Sequence, residues 1–141
     1  MLFYTHLTFA FLVGMYLIPS QILLVLIGSM IPDIDNANSR VNRGLKITTI
    51  FSYLFKHRGF THSIWFGFGL FILLNSILPQ YTFALVLGFA SHLVIDSITK
   101  KGINFLYPVA RFHVSGFIET GKGGEKLILI LLIIAIGISF M

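Results

Sequence analysis

The chain has 141 residues, of which 56% are hydrophobic and only 11% charged, with ten Lys and Arg set against five Asp and Glu. A soluble domain carries about 25% charged residues, so this composition and a mean hydropathy of +0.90 exclude an ordinary water-soluble globule and point to one membrane-embedded domain, residues 1–141. Because there is no cysteine, disulfides and thiolate metal ligands are excluded as well.

The first apolar run covers residues 7–31. It lacks the basic leader and the small-residue cleavage site of a secretory signal and is expected to remain in the mature protein. Crossing a hydrocarbon core of ~30 Å takes roughly 20 helical residues, so the run can be one span. However, Pro19-Ser20-Gln21 interrupts it, and proline followed by two polar residues suits a turn better than a helix interior. The alternatives are one kinked helix or a hairpin of two short helices near 3–17 and 20–31. The hairpin is preferred because it puts His6, Asp33, Asp35, His57, His62, His92 and Asp96 at one membrane face, whereas a single span strands His6 about 30 Å away.

Pro32 ends the first region and is followed by Asp33-Ile34-Asp35. Two carboxylates at this spacing serve as a cap, a solvated turn or a metal pair. The loop from 32 to 61 carries Arg40, Arg43, Lys46, Lys56 and Arg58 and ends in His57-Arg58-Gly59-Phe60-Thr61-His62-Ser63. Gly59 permits a sharp turn, and Thr61 or Ser63 can cap the helix that follows. The helix dipole disfavours a cationic imidazole at His62, and neutral imidazole is the ligating form. For His57, a histidine at the interface is an equal alternative.

Apolar runs at 64–78 and 82–95 flank the uncharged connector Pro79-Gln80-Tyr81. His92 and Asp96 are four residues apart, so on a helix they share a face and can reach one ion or form a polar interhelical pair. Ionisable groups near a membrane helix are costly, which favours function. Lys100, Lys101, Arg111, Lys122 and Lys126 lie between this run and the last one, 127–141. By the positive-inside rule both basic loops are cytoplasmic and the short connector is outside; the same cations also suit lipid headgroups. Glu125 opens the last helix, where it either complements the helix dipole or completes the site and contacts substrate.

Imidazoles and carboxylates without thiolates suit zinc, manganese or iron. Seven potential ligands exceed one four-coordinate site, so some orient their neighbours or two ions are held.

Thr5-His6, Gly28 to Asp35 (GSMIPDID), His57 to Ser63 (HRGFTHS), Gly88 to Gly102 (GFASHLVIDSITKKG) and Thr120 to Glu125 (TGKGGE) together resemble the YdjM-like family. That group comprises small membrane-bound metal-dependent hydrolases, also described as LexA-binding and inner-membrane-associated, and is distantly similar to zinc-dependent phospholipase C and the P1-type nucleases. The resemblance implies metal roles for His6, Asp33, His62, His92 and Asp96, with Asp35 and His57 as further candidates. The chain departs from the soluble phospholipases in its short length and in lacking their additional histidine-rich helix, so their three-zinc site is not implied.

The expectation is therefore an all-α, multi-pass membrane bundle of about five helices, the first two a short hairpin. It is expected to hold one or two divalent metal ions, zinc first, and to hydrolyse a phosphoester in a lipid or lipid-linked substrate through a metal-activated water. Asp35 or His57 would act as general base, and Arg58 and Arg111 would hold phosphate through planar bidentate contacts. The alternative is a non-enzymatic membrane protein whose metal-stapled basic loops bind a soluble regulator. Membrane lipids are the expected partners; nucleic acid is not, since few aromatics accompany the cations.

Overall fold

Five helices and one small hairpin make up the computed structural model, which describes residues 1–35 and 59–141. The helices are α1 (Phe3–Leu17), α2 (Ile22–Met30), α3 (Ile64–Ile77), α4 (Pro79–Ser97) and α5 (Gly123–Ile138). Strands β1 (Ile103–Asn104) and β2 (His113–Val114) pair antiparallel, with Ile103 opposite Val114 and Asn104 opposite His113.

The first apolar run is split as its sequence suggests. Ile18 adopts a non-helical conformation and Pro19–Gln21 form a 3₁₀ turn, so α1 and α2 are two helices packed against each other. A second 3₁₀ turn, Ile31–Asp35, ends α2 at Pro32, whose ring removes a helix donor. Ahead of α3, Phe60–His62 form a third turn. Ser63 then caps α3, its hydroxyl oxygen accepting from the Phe66 N–H at 3.2 Å.

One boundary differs from expectation. Pro79-Gln80-Tyr81 is not a connector but the first turn of α4, and the break lies at Leu78, with φ −136° and ψ 57°. Proline is favoured at a first helical position, where its missing N–H would have no partner anyway. The α3–α4 connection is thus a single residue, which makes the two helices neighbours.

α4 runs through the centre, in contact with α1, α2 and α3, while α5 packs on α1. Ala10, Val25 and Ala84 form a small-residue centre among α1, α2 and α4, and Phe89, Leu93 and Ile103 form a second cluster towards α3 and the hairpin. The closest approach is between α2 and α4. A Cβ placed on Gly28 would lie 2.1 Å from the Leu85 carbonyl oxygen, and one on Gly88 would lie 2.0 Å from that of Val25. Two backbones in contact through small residues is a packing mode that helices in lipid use widely.

The distribution of side chains is inverted relative to a water-soluble protein. Thr5, His6, His62, Thr82, His92, Asp96 and Glu125 are buried, whereas Phe68, Ile77, Phe83, Ile134 and Ile138 are more than half exposed. Large contiguous apolar surfaces need a non-aqueous neighbour. Nevertheless, among the described residues no helix is long and apolar enough to cross a membrane. At about 1.5 Å per residue the helices measure roughly 14 to 28 Å, and α4, the longest with 19 residues, carries His92 and Asp96.

Candidate metal centre

Four parts of the fold meet where α4 nears its end. α1 contributes His6 because the hairpin returns α2 alongside it. The turn after α2 contributes Asp33, the turn before α3 contributes His62, and α4 contributes His92 and Asp96 from successive turns. Donor atoms of His6, His92 and Asp96 all lie within 4.8 Å of one another, and so do those of Asp33, His62 and His92. His92 belongs to both groups.

Asp96 sits at the centre. One carboxylate oxygen pairs with the Met1 amine and lies 3.4 Å from His6 Nε2. The other lies 3.9 Å from Nε2 of both His62 and His92. The His6 and His92 rings stack at 3.8 Å with a 7° interplanar angle, and the His62 ring stands at 70° to that of His92. All four side chains are at most 4% exposed.

The tautomer of His92 follows from its backbone partner. Nδ1 lies 2.7 Å from the Ser29 carbonyl oxygen, an atom with no proton, so Nδ1 carries the hydrogen and donates. Nε2 therefore presents a lone pair, and it has no hydrogen-bond partner; His6 Nδ1 is likewise buried without one. A buried nitrogen left in this way costs about 1–3 kcal/mol, and a metal ion is one group that relieves it. A ligand histidine whose second nitrogen donates to a backbone carbonyl is the usual arrangement at metal centres. Thr61 Oγ1 stands 3.1 Å from His62 Nδ1 and holds that ring in place, but a hydroxyl both donates and accepts, so this contact leaves the His62 tautomer open. Neutral nitrogen donors with a central carboxylate and no sulfur suit a borderline divalent cation. The residues present fit a metal.

Glu125 departs from the substrate-contacting role. It is 1% exposed. One oxygen accepts from the Leu2 N–H and from Thr5 Oγ1, and the other accepts from the Gly121 N–H. With both oxygens engaged, it ties the start of α5 to the start of α1, next to His6. Glu125→Ala is expected to destabilise the protein by about 1–3 kcal/mol, the cost of leaving such donors unpaired; a shift in the thermal midpoint in detergent checks this, and an unchanged midpoint refutes it.

Arg111 is exposed in the β1–β2 connection and, among the described residues, no ion pair joins it to an acid. The Asp35 side chain, His57 and Arg58 lie outside the described residues. Elsewhere in the α4–α5 segment, Lys100 and Lys122 both pair with Glu119. Their hydrogen bonds and charges hold the Glu119 carboxyl down at about 2, and Lys122 is raised in turn.

The residues that shape this centre without ligating were less legible. Ser29 acts through its carbonyl, which no side-chain pattern reports. Gly28 and Gly88 stand at the head of two of the sequence motifs, but a glycine does not announce which helix it meets. The five clustered residues, His6, Asp33, His62, His92 and Asp96, fall inside those same motifs. A profile of the YdjM inner membrane protein family matches residues 1–141.

The chain belongs to the YdjM inner membrane protein family. It is 35% identical over 107 residues to the "Uncharacterized protein YvsG" of Bacillus subtilis, covering 73% of this chain and 67% of that protein. It is also 35% identical over 101 residues to the "Inner membrane protein YdjM" of Escherichia coli, covering 66% of this chain and 50% of that protein. The chain thus spans about half the length of the Escherichia coli relative that it matches. No solved structure matches it. Membership in the YdjM family supports association with a membrane and accords with the exposed apolar helix faces.

Proposed function

We propose that the protein is a membrane-embedded, metal-dependent hydrolase acting on a phosphoester of a lipid or lipid-linked substrate, multi-pass, with its histidine cluster facing the cytoplasm. The observation that carries this reading is His92: its Nδ1 is fixed on the Ser29 carbonyl, and its bare Nε2 is buried beside His6 and Asp96. His6, His92 and Asp96 would hold one ion, zinc first and manganese or iron as alternatives. Asp33 and His62, sharing His92, would hold a second. A divalent metal supplies Lewis acidity towards a phosphoryl oxygen and a water activated near neutral pH.

The chain's own groups divide the remaining work. Asp96 offsets cationic charge and orients His6, the Ser29 carbonyl fixes the tautomer of His92, and Thr61 holds the His62 ring in place. Arg58 belongs to this reading as the holder of phosphate, and Asp35 or His57 as the general base. Phosphate release from phospholipid, lipid-linked and water-soluble phosphoesters by metal-loaded protein in detergent tests it. Release by the wild type that is lost in His92→Ala is expected. A His92-dependent metal without turnover of any ester instead assigns the ion to stapling the loops of a non-enzymatic binder.

A further inference from the structure

The segment between α4 and α5 has a surface unlike that of a water-facing loop. Val109 and Phe117 are 72% and 79% exposed, and Tyr107 and Phe112 are exposed beside them. Five cations accompany these side chains: Lys100, Lys101, Arg111, Lys122 and Lys126. Glu119 engages Lys100 and Lys122. Lys101, Arg111 and Lys126 form no ion pair with the described residues. The remaining acids described do not balance them, because Asp96 and Glu125 are buried and Asp33 faces the histidines.

This surface is held in place. The Lys100 N–H donates to the Ile118 carbonyl at 2.8 Å, the Ile118 N–H to Ile98 at 3.1 Å, and the Ile64 N–H at the start of α3 to Phe105 at 3.0 Å. Gly116 lies so close to α4 that a Cβ there would be 2.4 Å from the Ile98 carbonyl oxygen. The hairpin is thus fastened to the start of α3, and the segment after it to Ile98 and Lys100 just past the end of α4, at the end of the molecule that carries the histidines.

We propose that the β1–β2 hairpin and the segment after it dock on the anionic headgroup layer of a bilayer, with Phe112, Phe117 and Val109 entering the interface and Lys101 and Arg111 pairing with lipid phosphates. An acidic soluble protein would satisfy the cations but leave these apolar side chains against a polar partner. A headgroup layer satisfies both, because aromatic rings favour the interface and basic residues favour anionic lipid. Placement beside the histidine cluster brings phosphate-bearing lipid to that end of the molecule. The proposal rests on membrane association and not on hydrolysis.

Because the chain has no cysteine, single labels report cleanly. Polarity-sensitive dyes on Phe112→Cys and Phe117→Cys, with Asn75→Cys at the far end of α3 as control, are placed in lipid discs of phosphatidylcholine with or without phosphatidylglycerol. Nitroxide-bearing lipid is expected to quench positions 112 and 117, more strongly in the anionic discs. Adding Lys101→Gln and Arg111→Gln should weaken interface occupancy on the order of fivefold per charge removed and leave position 75 unchanged. Full quenching by aqueous acrylamide in both disc types overturns the proposal, as does lipid quenching indifferent to both phosphatidylglycerol and the double substitution. Protection by soluble polyglutamate in place of anionic lipid also overturns it and assigns the surface to an acidic protein.

Discussion

His92→Ala is expected to reduce bound metal to background in protein purified and reloaded in detergent, the largest single effect of any side chain in this centre. His92 is the residue common to both ligand groups, so its loss removes a donor from each. What remains is Asp96, 2% exposed, with fewer nitrogen donors to share a cation. Asp96→Asn should be nearly as severe, since the amide preserves shape but removes the charge that offsets the ion. Arg111→Ala, at an exposed side chain outside the His and Asp cluster's donor set, should leave the metal content as in the wild type. Stoichiometry by elemental analysis, with helical content checked in parallel, decides the matter. Equal metal in wild type and His92→Ala would show that the five clustered side chains are a polar network between elements, and the hydrolase reading would go with it.

The clustering of His6, Asp33, His62, His92 and Asp96 was legible because their chemistry is carried by side chains in patterns. The four-residue spacing of His92 and Asp96 fixes a shared face. Pro19-Ser20-Gln21 marks a turn, and only with that turn does His6 reach Asp96, as it does at 3.4 Å. Asp33 and His62 are legible because a proline and a cap motif put each at a helix end. What escaped the sequence was carried by the backbone or by long-range pairing. The Ser29 carbonyl has no side-chain signature. Glu125 reads as a dipole-complementing acid, since its partners Leu2 and Thr5 lie 123 and 120 residues away. Pro79 punctuates the chain in the same way whether it sits in a turn or opens a helix. The two-residue strands of the hairpin are too short to show an alternation.

Gly88→Ala is expected to be strongly damaging, since among the described glycines an added Cβ there makes the closest contact. Two effects oppose each other at this site. Alanine is a better helix former than glycine by about 1 kcal/mol. Against that, the new Cβ would sit 2.0 Å from the Val25 carbonyl oxygen and 2.8 Å from the Ser29 nitrogen, both backbone atoms that no rotamer change can move. Ordinary contact begins near 3.4 Å, so α2 and α4 must separate by more than an ångström, and overpacking of that kind costs about 1–3 kcal/mol or more. The clash should win. Separation also draws the Ser29 carbonyl away from His92 Nδ1, now 2.7 Å apart, and loss of such an orienting partner weakens metal binding about 10–100-fold. Gly69→Ala, on α3 where an added Cβ would meet nothing within 4 Å, supplies the contrast: it should stabilise slightly and leave metal affinity unchanged. Thermal midpoints and chelator-competition titrations on the two variants read both consequences, and a Gly88→Ala protein that behaves like Gly69→Ala would mean that the α2–α4 contact does not set the geometry of His92.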